Sequence, residues 1–240
     1  MFLRALPRGG GRSPHPLRPT LVAGLLLGLL LAACAPAANG VRQETGPAII
    51  RAAGRALGGA RSFAIEATST ASGTPGSFSF EVEGPNQGGG TFTTPTLSFQ
   101  AEELNGVDYF RSKTLWNGVG GATLQAALGD RWVYIAASSS TAVQLTQAFA
   151  GLTSARALAA LLTKGAATAV RGKASSWAGQ TVVAVSESKA GTVFVATTGP
   201  PYPLRWLQSP TDRLVFRDYG RKFNLRVPRK ALNLAAILAG

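Results

Sequence analysis

The hydrophobic and polar positions of this chain follow two different periods, which mark two kinds of element. Residues 47–59 follow Thr45, a possible cap, and carry apolar side chains at helical spacing until Gly58 and Gly59 end the pattern. From residue 62 onwards every second residue is apolar, as in SFAIEATST and SFSFEVEG. This alternation is typical of strands with one buried and one solvent-facing side. The chain therefore predicts one helix followed by strands.

Further strands are predicted on both sides of a second helical region. TLSFQAEEL and VDYFRS flank Asn105 and Gly106, a strong hairpin signal, and DRWVYIAAS predicts the next strand. Residues 143–163 return to helical spacing. A meander follows, with a hairpin turn near residues 175–179, a last strand KFNLRV and a short helix at 231–238. This order of elements indicates an α+β fold with one large antiparallel sheet.

The first 35 residues have the layout of an export signal. Residues 1–19 carry four arginines and no acid, and an apolar run at 21–31 is followed by small residues before Cys34, the only cysteine. Residues 21–35 would form a helix of about 22 Å, which is short for the roughly 30 Å of membrane hydrocarbon. An uncleaved short anchor and an ordinary cleaved signal with a chance cysteine are the alternatives.

The residues around Cys34 add a specific modification to this interpretation. Leu31-Ala32-Ala33-Cys34 resembles a bacterial lipobox, in which the cysteine receives a diacylglyceryl group and becomes the new N-terminus. Two acyl chains are enough for stable anchoring. We therefore expect a lipoprotein signal peptide at 1–33, a lipidated N-terminus with a flexible tether at 34–45, and a single domain at 46–240. Such a protein is anchored on the extracytoplasmic face of the cell membrane.

Export also changes the interpretation of the charge. Without the signal, 24 − 4 = 20 Lys and Arg remain against 11 Asp and Glu, a formal charge of +9. An exported protein meets little nucleic acid, so anionic lipid headgroups, lipoglycans or wall polymers are the expected partners of this charge. A merely solvated basic surface is the alternative. The strongest basic cluster lies at residues 205–230.

The residue inventory argues against an enzyme. The only histidine is His15, inside the signal, and Cys34 is expected to carry lipid. The mature chain therefore has no residues for a histidine-dependent nucleophile or a histidine metal site, and we expect no catalytic residue, metal or cofactor. Glu81 and Glu83 share one strand face, which favours solvation over acid catalysis. The glycines at 88–90 predict a flexible strand connection.

A series of short motifs resembles a known family. These motifs are the lipobox, RALGGARSFAIEAT, LNGVDYFRS, LGDRWVYI, LLTKGA, PYPLRW, LVFRDYG and FNLRVP. In this order and spacing they resemble the LppX/LprG-type lipoproteins of actinobacteria, which are similar to the LolA/LolB lipoprotein carriers. The resemblance implies a strongly curved antiparallel half-barrel, with helices packed on its concave face over an apolar cavity that takes acyl chains.

The expected cavity lies between the sheet and the helices of residues 143–163. Small residues such as Ala67, Ala160 and Ala184 would leave room there, although tight alanine packing is the alternative. The expected lining residues are Phe78, Phe80, Phe99, Val133 and Tyr134 from the sheet and Leu145, Phe149, Leu158 and Leu162 from the helices. Trp177, near a predicted turn, is a candidate for an exposed lip.

Two functions are compatible with these observations. The first is a membrane-tethered module that binds or carries lipid or lipoglycan in the cavity. The second is a cell-envelope lipoprotein of the same fold with a filled core, which serves a structural, signalling or interaction role. The volume of the cavity and any bound material distinguish the two functions.

Overall fold

A computed structural model describes residues 37–70, 73–85, 87–135, 154–188 and 190–238. Four helices occur in this part of the chain: α1 Gly46–Gly58, α2 Leu115–Leu128, α3 Ala155–Thr163 and α4 Leu234–Leu238. The strands are β1 Ser62–Ser69, β2 Gly76–Glu83, β3 Gly88–Thr93, β4 Ser98–Leu104, β5 Val107–Arg111, β6 Trp132–Ile135, β7 Val170–Trp177, β8 Gln180–Glu187, β9 Gly191–Ala196, β10 Pro203–Leu207, β11 Arg213–Arg217 and β12 Leu232–Asn233. None of the described helices is both long enough and apolar enough to cross a membrane.

All twelve described strands belong to one open sheet. Its order is β12-β6-β5-β4-β3-β2-β1-β11-β10-β9-β8-β7, which places β1 near the middle. Every neighbouring pair is antiparallel except β12 and β6, which run parallel. The α+β class and the large antiparallel sheet predicted from the sequence are confirmed, and the sheet is not a closed barrel.

The sheet has two faces, which the strand alternation separates. We call the face that packs against the helices the helix face; Phe63, Ile65 and Phe80 lie on it and are 0% exposed. The opposite, outer face carries Glu66 and Glu81, which are both exposed. Side chains from α1, α2, α3 and α4 join the helix face in one contiguous apolar core. The alternation seen in SFAIEATST and SFSFEVEG thus places the core where the sequence predicted it.

Helix α1 begins and packs as its sequence dictates. The Thr45 side chain accepts a hydrogen bond from the Ala48 N–H at 3.4 Å, so the predicted cap is present. Helix α3 packs against α1 so closely that a Cβ on Gly54 would lie 2.3 Å from Cγ2 of Thr163. Glycine at this position therefore allows the two helices to approach each other.

The predicted hairpin turns are present. Asn105 and Gly106 join β4 to β5 with φ values of 55° and 76°, and Ala178 and Gly179 join β7 to β8 with φ values of 48° and 77°. Two consecutive residues with positive φ are the requirement of the tight hairpin turn that matches the twist of the strands.

Two parts of the fold differ from the prediction. The glycines at 88–90 are not a flexible connection but the first half of β3, because a Cβ on Gly90 would lie 2.0 Å from the Ser79 carbonyl oxygen of the paired strand. Helix α2 was not predicted. It is kinked at Gly120 and Gly121, whose φ values are −149° and 74°, and these glycines obscure its helical period.

The segment KFNLRV is not a strand, although its residues alternate. β11 already has β10 and β1 as its two partners, so the chain that directly follows it cannot pair beside β11. Residues 221–230, which we call the crossing segment, instead pass over the outer face. The Phe223 N–H donates to Oε2 of Glu83 at 3.3 Å, and a Cβ on Gly89 would lie 3.3 Å from Cδ2 of Leu225. Beyond the crossing segment, the predicted final helix is the shorter α4.

Residues 38–45, which we expected to belong to the tether, lie on the domain. Asn39 donates from its backbone N–H to the Thr197 carbonyl at 3.0 Å, and Val41 is only 3% exposed. Arg171 donates to the Arg42 carbonyl at 2.8 Å. The compact unit begins at Ala38, earlier than the predicted residue 46. The predicted helical stretch at 143–153 lies outside the described residues.

Candidate functional site

The sheet has two ends with different chemistry. We call one the Asn39 end: β9 and β11 finish there, β8 and β10 begin there, and Asn39 binds the turn between β9 and β10. The other is the groove end, where β8 finishes, β9 begins and α3 is followed by a short 3-10 turn, Ala166–Thr168. A depression opens at the groove end.

This depression, which we call the groove, has a volume of about 660 Å³ and a mostly apolar lining. Trp206 of β10 forms part of its wall and is 2% exposed. The indole N–H of Trp206 donates to the Ala190 carbonyl at 2.6 Å, which fixes the ring. Leu161 of α3 also lines the groove and is 49% exposed.

Polar groups occur at the rim of the groove. Glu187 accepts a hydrogen bond from the Thr168 hydroxyl at 3.1 Å, and Lys164 is exposed beside it. Gly165 approaches the carboxylate so closely that a Cβ would lie 2.5 Å from Cδ of Glu187. An apolar wall with a cation and a carboxylate at its rim fits an amphipathic molecule, whose apolar part enters and whose polar part remains at the rim.

Six of the predicted cavity residues lie in one contiguous core or at its border. Strand register places Phe78, Phe80, Phe99 and Val133 on the helix face. Phe80, Phe99 and Val133 are no more than 6% exposed, as are Leu158 and Leu162 of α3, and Phe78 packs against the border of the core. None of these six residues lines the groove.

The remaining predicted positions do not join this group. Tyr134 follows Val133 on β6 and therefore lies on the outer face, where its ring centroid is 6.3 Å from that of Tyr109. Ala160 of α3 is exposed and does not face the core. Leu145 and Phe149 lie outside the described residues.

Only some of the residues that line the groove could be predicted from the sequence. Alternation in PLRWLQ places Trp206 on the buried face, so this wall residue was within reach of the pattern. Leu161 belongs to a predicted helix, but its exposure depends on how α3 meets the sheet. Ala190 and Glu187 lie at a turn and a strand end, where periodicity carries no information about neighbours.

Two polar sites have environments that are unfavourable for a charge or an unpaired donor. Glu103 of β4 and Asp108 of β5 lie opposite each other in the strand register, on the helix face. Burial, followed by repulsion from Glu103, raises the pKa of Asp108 to about 6. The indole N–H of Trp116, which is 0% exposed, has no hydrogen-bond partner within the described ranges. An orphaned buried donor is costly unless a bound molecule or water accepts from it.

Metal binding has no candidate group in the part of the chain that the structure describes. No three or more His, Cys, Asp or Glu side chains are close enough there to bind an ion. Glu81 and Glu83 lie on the outer face, as expected, where they pair with Ala64 and Ser62 of β1.

Comparison with known proteins gives a likeness of fold. No protein-family model matches the chain, and no curated protein matches it by sequence. Among solved structures, the crystal structure of LprF from Mycobacterium bovis is similar with a TM-score of 0.51 and 14% identity over 81% of this chain and 99% of LprF. At this identity the likeness shows the fold alone, and the shared fold is the one that the LppX/LprG-type resemblance implied.

Proposed function

We propose that this chain is an exported lipoprotein that is anchored through Cys34 to the extracytoplasmic face of the cell membrane and binds or carries a lipid or lipoglycan. The groove carries the proposal. Its volume of about 660 Å³ lies within the usual range for ligand pockets, about 300–1,000 Å³, and its lining is mostly apolar.

Two further observations support lipid as the ligand class. The fold is similar to that of LprF over nearly the whole of that chain. Lys164 and Glu187 at the rim provide opposite charges for the polar part of an amphipathic molecule.

The second candidate function is an envelope lipoprotein with a structural, signalling or interaction role and no lipid cargo. One observation favours it: the side chains expected to surround a cavity are buried against each other. Phe80 and Val133 are 0% exposed and Leu158 is 1% exposed. These residues are packed in the core, and residues 143–153, which complete the predicted cavity, lie outside the described residues. The lipid-binding proposal therefore rests on the groove.

The experiment compares two tryptophan substitutions that differ in position relative to the groove. Ala167 is exposed and lines the groove, whereas Ala160 is exposed and lies outside the lining. Ala167→Trp should weaken binding of a fluorescent phospholipid at least about tenfold, a change of about 1.4 kcal/mol. Ala160→Trp should leave it unchanged. Thermal melts of both variants verify that each remains folded.

Mass spectrometry of a lipid extract from the purified protein identifies the ligand class. A defined lipid bound in stoichiometric amount, and displaced in Ala167→Trp, is the expected result. An empty protein that binds no fluorescent phospholipid would contradict the lipid-binding proposal and favour the second function.

A further inference from the structure

The start of the described domain is fixed to one end of the sheet. Asn39 donates from its backbone N–H to Thr197, and its side-chain amide donates to the carbonyls of Ala196 at 2.9 Å and Gly199 at 3.0 Å. Ala38 forms a bridge with Thr198. The chain therefore enters the domain at the turn between β9 and β10.

The length of chain before this point limits the distance to the lipid anchor. Cys34 precedes Ala38 by four positions. A fully extended chain covers at most about 3.6 Å per residue, so four residues span at most about 14 Å. If Cys34 carries the acyl chains, Ala38 lies within about 14 Å of Cys34. The turn between β9 and β10, to which Ala38 is bridged, must then lie near the membrane surface together with the rest of the Asn39 end.

A second apolar cluster lies on the outer face at the same end. Val182, Ala196 and Leu204 form its buried part, and Trp177, Tyr202 and Tyr219 pack against it. The rings of Tyr202 and Tyr219 stack with centroids 3.8 Å apart. A depression of about 430 Å³ opens beside them, lined in part by Trp177, Pro200 and Tyr202.

The polar atoms of these aromatic residues are used differently. The Tyr219 hydroxyl donates to the Pro203 carbonyl at 2.6 Å and is therefore committed within the protein. Neither the Trp177 indole N–H nor the Tyr202 hydroxyl donates a hydrogen bond to any described residue, and both side chains are half-buried. Aromatic rings with an apolar body and an unpartnered polar tip are typical of the water–lipid interface.

Cations without acidic partners lie next to this cluster. Arg61 and Lys222 are exposed and neither has a carboxylate partner among the described residues. The chain segments that carry them are joined by the Gly220 N–H, which donates to the Ser62 carbonyl at 2.9 Å. The two nearby acids are already engaged: Asp218 pairs with Arg217 at 3.1 Å and with Arg221 at 3.5 Å, and Glu83 accepts from the Phe223 N–H at 3.3 Å. The two cations without acidic partners therefore favour an anionic surface beside the aromatic cluster.

From the reach of the chain, the aromatic cluster and the charge, we infer that the Asn39 end docks on the anionic lipid bilayer in which Cys34 is anchored. The contact surface consists of Trp177, Pro200, Tyr202, Arg61 and Lys222. This inference rests on the lipidation in the proposed function. Trp177 and Tyr202 contact the headgroup region with their polar tips, while the two cations lie against anionic headgroups.

The test uses the lipid-modified protein in vesicles of phosphatidylcholine, with and without phosphatidylglycerol, in which the acyl chains are brominated to quench tryptophan. Trp177 lies at the Asn39 end, and Trp132, also half-buried, lies at the groove end as a matched control. Quenching in the presence of phosphatidylglycerol should be lost in Trp177→Phe and retained in Trp132→Phe. The double variant Arg61→Gln, Lys222→Gln should lose the dependence on phosphatidylglycerol.

Flotation with the vesicles separates anchoring from docking. Protein that floats but shows the same quenching in Trp177→Phe overturns the docking inference and leaves the anchoring intact, as does quenching that depends on Trp132. Quenching that is equal in neutral and anionic vesicles overturns the anionic contact. Protein that does not float overturns both the anchoring and the inference.

A second measurement avoids the tryptophans. Because Cys34 is the only native cysteine and would be blocked by lipid, an introduced cysteine can be labelled alone. An environment-sensitive dye on Gln180→Cys, an exposed position at the Asn39 end, should shift to the blue on anionic vesicles. The same dye on Thr211→Cys, exposed at the groove end, should not, and a shift at Thr211 alone overturns the inference.

Discussion

The two ends of the sheet each present a tryptophan beside a depression, but the two tryptophans differ in burial and hydrogen bonding. At the groove end, Trp206 is 2% exposed and its N–H is bonded to Ala190, so it forms a fixed wall. At the Asn39 end, Trp177 is half-buried on the outer face, and its N–H donates to no described residue. A satisfied, buried ring is suited to a pocket, whereas an unsatisfied, half-buried ring is suited to an interface.

The distance between the ends has a functional consequence. β9 runs from the groove end to the Asn39 end with 6 residues, which corresponds to about 20 Å at about 3.3 Å per residue. If the Asn39 end contacts the membrane, the groove opens about that far from it. A lipid in the groove would then be presented away from the anchoring bilayer, which suits transfer to another acceptor better than storage in the same membrane.

The largest expected effect concerns the anchor on which the comparison depends. Cys34→Ala removes the thiol that would receive the diacylglyceryl group. We expect complete loss of the lipid-modified form and accumulation of the unprocessed precursor. Metabolic labelling with an alkyne fatty acid measures the modification, and label retained by the Cys34→Ala protein would contradict the lipobox interpretation.

The second effect compares the two tryptophans directly. Trp206→Ala removes a buried ring and should lower the free energy of unfolding by about 3–5 kcal/mol. Trp177→Ala, at a half-buried position, should lower it by less than about half as much. Urea unfolding of both variants measures the difference. Equal losses would show that Trp177 is a core residue, and would weaken the case for a contact surface at the Asn39 end.

The third effect concerns a glycine at each end. Gly191, at the groove end, has a φ of 87°, and a Cβ there would lie 1.9 Å from the Leu207 carbonyl oxygen. Gly199, at the Asn39 end, has a φ of 63° and no atom within 4 Å of a Cβ. Gly191→Ala combines left-handed strain with a backbone collision and should cost more than about 2 kcal/mol, whereas Gly199→Ala should cost about 1 kcal/mol from strain alone.

The same unfolding measurement tests this pair. A smaller loss for Gly191→Ala than for Gly199→Ala would mean that the turn between β8 and β9 can relax. The groove beside this turn would then have a more adaptable rim than the structure indicates.

Much of the fold could be predicted because alternation reports burial directly. Every described strand pattern named from the sequence is a strand except KFNLRV, whose alternation is real but which follows β11, a strand that already has two partners. β3 was missed because its first three residues are glycines, required by the close approach of Ser79 and not by a flexible loop. Helix α2 was missed because glycines at its kink interrupt its period.

The candidate site was less predictable for a different reason. Phe80, Val133 and Leu158 were correctly assigned to the interior, but a sequence pattern does not distinguish a side chain that fills a core from one that borders a cavity. That distinction depends on the spacing of elements, such as the gap between the end of α3 and β10. Trp177, expected at an exposed lip, is half-buried at the Asn39 end, and only its packing against the cluster of Val182, Ala196 and Leu204 relates it to the outer face.

The smallest expected effect is a change in the free energy of unfolding that has opposite signs for two carboxyl groups, Asp108 at the Asn39 end and Asp130 at the groove end. Burial and then repulsion from Glu103 raise the pKa of Asp108 from 3.8 to about 6. The folded state therefore binds this proton more tightly than the unfolded state, and the free energy of unfolding falls as the pH rises from about 4 to about 6. Because Asp108 is partly exposed, solvent screening limits the cost at neutral pH to about 1 kcal/mol.

Asp108→Asn removes this charge and should raise the free energy of unfolding by about 1 kcal/mol at neutral pH, with no change near pH 3, where the carboxyl is protonated in both states. Asp130, at the groove end, is the matched control because it forms an exposed ion pair with Arg111 at 3.0 Å. Asp130→Asn should lower stability by at most about 1 kcal/mol at neutral pH. Urea unfolding of the three proteins across this pH range measures both signs. If Asp108→Asn is instead less stable at neutral pH, the Asp108 carboxylate has a favourable partner, and its charge stabilises the Asn39 end.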